Sequence, residues 1–186
     1  MKKRIMMKRI KQWIRSTADA VHMDTVMKRQ QTGVNMTYDF IQDMVGYDLE
    51  RLQKARREMK QPVSLETYVR TLTMHELGHA VDREALLASF DRTVEIFKMK
   101  KNYSAAEQRR NPDTFAMLIE EHEMNITFEE TAWDNAERMN RLYGIADWND
   151  FYNVKAHSLS TYKAYYERDL HSYQRLVEAA SVPVAG

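Results

Sequence analysis

Apolar residues along this chain recur mostly every three or four positions, and that spacing predicts a protein built mainly of helices. Ile5, Met6, Ile10, Trp13 and Ile14 mark an amphipathic helix over residues 2–16. Apolar residues at 45, 49, 52, 55 and 59 predict another over 44–60. Gln61 and Pro62 end it, because a residue that precedes proline avoids the α region. Leu65, Val69, Leu72, Leu77, Ala80 and Leu87 predict one long helix from 64 to about 90. Ser64 is its natural N-cap, and Glu66 in the first turn suits the helix dipole. A further helix is expected over 91–101, then a break at 102–104. Pro112 opens a long helix carrying Phe115, Leu118, Ile119, Ile126, Ala132 and Met139, and Gly144 lies just past its end. The Tyr-rich stretch 148–177 is helical in pattern. The exception is near the start. Residues 20–28 and 34–40 flank 30–33, which predicts a β-hairpin with Gly33 supplying a positive φ. The expected fold class is therefore mainly α, or α+β with a small N-terminal hairpin or sheet.

With 186 residues, no internal repeat and no low-complexity linker, one domain over 1–186 is expected, beginning with the basic helix at 1–16. Hydrophobic residues make up 44% and charged residues 30%, a globular balance. Five Gly and three Pro favour helix over irregular chain. The formal net charge of +1 gives no strong nucleic-acid signal. It hides an asymmetry: Lys2, Lys3, Arg4, Lys8, Arg9, Lys11 and Arg15 put seven cations and no acid in the first 15 residues, leaving the rest near −6. The same cations rule out a secretory signal, and no apolar run is long enough for a transmembrane segment. Without cysteine there are no disulfides and no thiolate ligands, and a cytoplasmic location is the expectation. The basic helix is expected to pack its apolar stripe on the body of the protein; its charged face suits a partner or an anionic surface.

One short string carries chemistry. His75, Glu76, Leu77, Gly78 and His79 spell HExxH inside a segment that reads independently as helix. Two histidines four apart project from one helix face and can both reach a single Zn²⁺. Glu76 sits where its carboxylate can take a proton from a water activated by that ion. A zinc hydrolase needs a third ligand and an open position. Glu130 is the leading candidate: it stands four residues before Asp134, so one acid can bind the metal while the other orients a histidine. Glu129 and Asp82 are the alternatives, and Asp82 could also orient a histidine or hold a backbone amide. His122 is a lesser candidate.

The string HELGHAVD from His75 to Asp82, followed by Glu130 and Asp134, resembles the gluzincin clan of zinc metallopeptidases. The catalytic helix is similar to that of anthrax-lethal-factor-like peptidase domains. The Glu130–Trp133 region looks more like small phage and mobile-element proteins of the ImmA/IrrE and minigluzincin kinds. The resemblance covers roughly residues 64–140 and is motif-deep. It implies an active-site helix packed against a glutamate-bearing helix, a Zn²⁺ cofactor, and a peptide or protein substrate. It also implies a Tyr or His that stabilises the oxyanion, for which Tyr162 and His157 are the candidates, and an edge strand above the metal. The expected function is metallopeptidase. The alternatives are a catalytically inactive zinc-binding interaction protein, and a surface-binding protein that works through its basic helix.

Overall fold

The apolar stripes become helices, and short polar residues decide where each begins. The structure, a computed structural model, describes residues 2–181, with side chains over 4–179. The described residues form α1 (Lys2–Ala20), β1 (Val26–Arg29), β2 (Met36–Asp39), β3 (Met44–Tyr47), α2 (Leu49–Glu58), α3 (Leu65–Val81), α4 (Arg83–Ala88), α5 (Phe90–Asn102), α6 (Ala105–Arg110), α7 (Pro112–Tyr143) and α8 (Trp148–Ser181). The fold is mainly α with a small N-terminal sheet. Ser64 caps α3 by accepting the Thr67 N–H at 3.0 Å. Asn111 caps α7 ahead of Pro112, and Gly144 ends it in the left-handed conformation. Among the described residues, no helix is long and apolar enough to cross a membrane.

Several boundaries differ from the sequence expectation, beginning with α1, which runs to Ala20 rather than 16. The hairpin over 20–40 does not form: β1 and β2 both pair with β3, which lies between them, parallel to β1 and antiparallel to β2. The true hairpin is β2–β3. Asp39 accepts the N–H groups of Ile41 and Gln42 in its turn, and Asp43 there takes a φ of 52°. Gly33 does adopt a positive φ, but its N–H serves Asp48 rather than a hairpin. Residues 44–47 are thus strand rather than helix. Asp48 starts α2 by accepting from Glu50 and Arg51. The stretch 64–90 splits at Asp82, where the apolar stripe runs out and Arg83 reaches across to the Phe40 carbonyl at 2.9 Å. Beyond the predicted break at 102–104, a capping box between Ser104 and Glu107 nucleates the short α6.

Two hydrophobic clusters hold these elements. The larger joins α1, the sheet, α2 and α3 to the second half of α7 and the start of α8. Ile10 and Ile14 of α1 are buried in it and Met6 and Trp13 pack against it, so the N-terminal stripe packs inward except at Ile5, which is exposed, while Arg4, Lys8, Arg9, Lys11 and Arg15 face solvent. The side chains of Lys2 and Lys3 lie outside the described residues. The smaller cluster joins α5, the first half of α7 and the second half of α8. At the heart of the larger one lies α3, buried on every side from Tyr68 to Gly78.

Candidate functional site

A buried helix must satisfy any polar group it carries; α3 carries His75 and Glu76 there, with the partly buried His79 one turn on. The two imidazoles, one turn apart, sit with ring centroids 4.7 Å apart. Their partner helix is α7, and Gly78 sets how close it comes. A Cβ at residue 78 would overlap the Ala132 carbonyl oxygen. Glycine inside a helix costs about 1 kcal/mol relative to alanine, and here it lets two backbones touch. Asn135 locks the contact by donating to the Gly78 carbonyl at 3.1 Å. Trp133 stacks on His75 with centroids 4.4 Å apart and planes 19° from parallel, which fixes the ring.

One turn before Ala132 and Trp133, on the same face of α7, stands Glu129. Its Oε2 lies 3.1 Å from His75 Nε2 and its Oε1 3.4 Å from His79 Nε2. Ligand atoms of these three residues lie within 4.8 Å of one another. Tetrahedral bonds of about 2.0–2.1 Å put donor atoms roughly 3.3–3.4 Å apart. The two imidazole–carboxylate separations are close to that, so the donor set could hold a small divalent cation.

The electrostatics point the same way. Burial opposes ionisation of Glu129, but hydrogen bonds from His75 and His79 and their charges outweigh it and hold its pKa well below the usual carboxylate range. Burial pushes the His79 pKa down. The Glu129 hydrogen bond and the charges of Glu76, Glu129 and Asp82 overcome it, and the net shift is upward. Glu76 is 6% exposed, and burial raises its pKa against the pull of the two imidazoles. The backbone of Tyr38, in β2, also acts to lower it. The Tyr162 phenol is raised by burial, by the Glu129 charge, by a hydrogen bond to Glu129 and by Glu76. It therefore stays protonated and donates to Glu129. His75 Nδ1 is buried without a hydrogen-bond partner.

These residues line a cleft of about 660 Å³. One wall is β2, an edge strand. The Asn35 carbonyl accepts from Asp48 at 2.9 Å, on the β3 side. Antiparallel pairing alternates, so Met36 and Tyr38 direct their backbone groups to the other side. The opposite wall is one face of α8, with His157, Ser158, Thr161 and Tyr162.

Several sequence expectations need correction. Glu130 is not in the donor group: it turns outward, 48% exposed, and pairs with Lys163 at 2.9 Å. Glu129 takes the place proposed for it. Asp134 does not orient a histidine, being 63% exposed and paired with Lys155 at 3.1 Å. Asp82 caps the end of α3 and acts on His79 through its charge only, outside the donor group. Tyr162 is in the site. His157 lines the same cleft five residues earlier on α8, where its charge bears on Glu58 rather than on the histidines. His122 belongs to a separate cluster with Asp169. The sequence held a signal for Glu129, since it precedes the buried Ala132 and Trp133 by three and four residues and so shares their face. The Tyr38 backbone had none, because the strand that presents it was assigned to the wrong pairing. Compared with family models, curated proteins and solved structures, the chain has no match, so function must be argued from these side chains alone.

Proposed function

We propose that the protein is a zinc-dependent peptidase that cleaves an extended segment of peptide or protein. The observation that carries this reading is the convergence of His75, His79 and Glu129 beside a buried Glu76 at an open cleft. Two imidazoles and one carboxylate are a familiar donor set for catalytic zinc, with a fourth position left to water or substrate. When bound, the ion supplies Lewis-acid polarisation of the scissile carbonyl and acidifies water.

The chain's own residues do the rest. Glu76 takes a proton from the attacking water and delivers it to the leaving amine, so that water adds across the broken C–N bond. A carboxyl with a raised pKa suits that exchange. Tyr162, protonated and beside Glu129, is placed to donate to the oxygen on which negative charge develops. Along β2, the free backbone groups of Met36 and the Tyr38 carbonyl can pair with an extended chain. A site that only braced two helices would gain nothing from a second buried carboxylate or from a cleft. That favours the enzyme over an inactive zinc-binding interaction protein.

The test is zinc content together with hydrolysis of a mixed peptide library. Wild type is expected to hold one zinc per chain and to cleave. Glu76→Gln should keep the zinc and lose roughly 10²–10⁴-fold in rate. Tyr162→Phe should keep it and lose about 10²–10³-fold in kcat. A wild-type protein without zinc, or an undiminished Glu76→Gln, would end this reading.

A further inference from the structure

The cleft does not stop at the histidines. Where β2 ends, a side pocket of about 120 Å³ adjoins it between α4, α5 and α7. Phe40, Leu86, Asn125 and Phe128 line both spaces, so the pocket lies directly beside the cleft. The pocket's inner lining includes Ile96 and Met124. Ile96 belongs to the smaller hydrophobic cluster and Met124 packs against it, so the pocket's floor rests on that cluster. The one ionisable group on its wall is Glu121, and Lys100 already pairs with it at 2.8 Å. A charged side chain entering here would lose water and find no free counter-charge.

The far end of the cleft is different. There Arg51 and Glu58 form an ion pair at 2.7 Å, and Asn35 donates to the Tyr68 hydroxyl at 3.2 Å. The strand β2 runs from the polar end toward the apolar one. A chain laid along it must therefore offer a polar neighbourhood on one side of the histidines and an apolar side chain on the other.

Size narrows the choice. An apolar cavity of roughly 150 Å³ is known to take a benzene ring. A pocket of 120 Å³ is smaller, enough for a four-carbon aliphatic group but not for a phenol or an indole. We infer that this pocket is a specificity site for the peptide substrate, admitting Leu, Ile, Val or Met and excluding aromatic and charged side chains. As a statement about cleavage it rests on the peptidase reading; as a statement about binding it does not.

Two readouts keep those apart. The first uses the zinc-loaded protein and a mixed peptide library, with cleavage sites read by mass spectrometry. One position flanking the scissile bond is expected to be aliphatic, favoured about 10–200-fold over Ala. Thr93→Leu, which fills the pocket from α5, should shift that position toward Ala and Gly. Phe128→Ala, which widens it, should admit Phe and Tyr. The second readout uses protein labelled with ¹³C at the methionine methyls, titrated with N-acetyl-leucinamide, N-acetyl-phenylalaninamide and N-acetyl-aspartamide. The Met124 methyl resonance is expected to move with the leucine probe alone, and to stop moving in Thr93→Leu. If Met124 responds while no peptide is cleaved, the pocket stands and the hydrolase falls. If peptides are cleaved with no aliphatic preference and Met124 is silent, the pocket is overturned and the hydrolase survives. Equal response to all three probes also overturns it.

Discussion

Helix α7 takes part in two clusters of imidazole and carboxylate, and they are opposites. In one, α7 supplies the acid, Glu129, to the imidazoles of α3. In the other, two turns earlier, it supplies the imidazole of His122 to the buried Asp169 of α8 at 3.2 Å. Asp169 also receives Arg109 at 2.8 Å and Arg168 at 3.3 Å. Guanidinium groups are always charged, so that acid is neutralised whatever the pH. Glu129 has no such partner. It faces two imidazoles, and Glu76 adds a second carboxylate beside them. One cluster is closed and complete. The other holds no guanidinium, carries two carboxylates and opens on a cleft. On the proposed reading a cation would complete the second cluster, whereas the first needs none.

The largest expected effect breaks the comparison directly. Zinc at about 100 times its Kd should stabilise wild type by about 2.7 kcal/mol, a rise in Tm of roughly 5–11 °C for a chain of this size. Asp169→Asn should show the same rise, because its cluster has no need of metal. Glu129→Ala and His79→Ala should show none and should bind no zinc. Thermal scans with and without zinc decide it. A zinc shift that survives in Glu129→Ala but vanishes in Asp169→Asn would reverse the roles of the two clusters.

A smaller effect sharpens the contrast from the other side. Losing one partner of a buried ion pair can cost 3–5 kcal/mol. Arg109 and Arg168 can turn toward water, so about 2 kcal/mol is expected for Asp169→Asn at pH 7. Burial opposes its charge, but the hydrogen bonds from Arg109 and His122 hold the folded-state pKa of Asp169 below the ordinary value. The sign follows from linkage: a depressed carboxyl contributes fully above the unfolded pKa of about 3.9 and loses that contribution as pH falls through the folded one. The gap between wild type and Asp169→Asn in urea unfolding should therefore narrow in acid. An equal gap at pH 7 and pH 2 would show that the cost is steric.

What could be read in the sequence, and what could not, follows the range of the interactions involved. The helices of α3 and α7 are legible because their apolar stripes and caps, Ser64 and Pro112 among them, are local. His75, Glu76 and His79 are legible because one helix turn relates them. The hairpin was misassigned because strand pairing is not local: β1 skips β2 and pairs with β3, and only the Asx turn at Asp39 hints at it. The third donor was missed by one residue for a similar reason. An acid pair four apart marks a helix face without saying which way the face points. The apolar register of Ala132, Trp133 and Ala136 does say, and it places 129 inward and 130 outward.

The smallest expected effect isolates that one-residue difference. Glu130 and Lys163 are each about half exposed, and pairs of that kind contribute about 0–1 kcal/mol. Glu130→Gln should therefore cost under about 0.5 kcal/mol, leave zinc content at wild-type level and keep the zinc-induced rise in Tm. Glu129→Gln has the same chemistry one position away. It replaces an anionic oxygen between two imidazoles with a neutral amide, a poor metal ligand whose NH₂ would face a ring nitrogen. Zinc should be lost there and the buried histidines left without a counter-charge. Elemental analysis of the two isosteric variants side by side controls for size, for helix propensity and for the chain segment altered. Only the direction of the side chain differs. If Glu130→Gln is the one that loses metal, α7 is rotated in solution by about the 100° that separates neighbouring residues of an α-helix, and Glu129 is not the ligand.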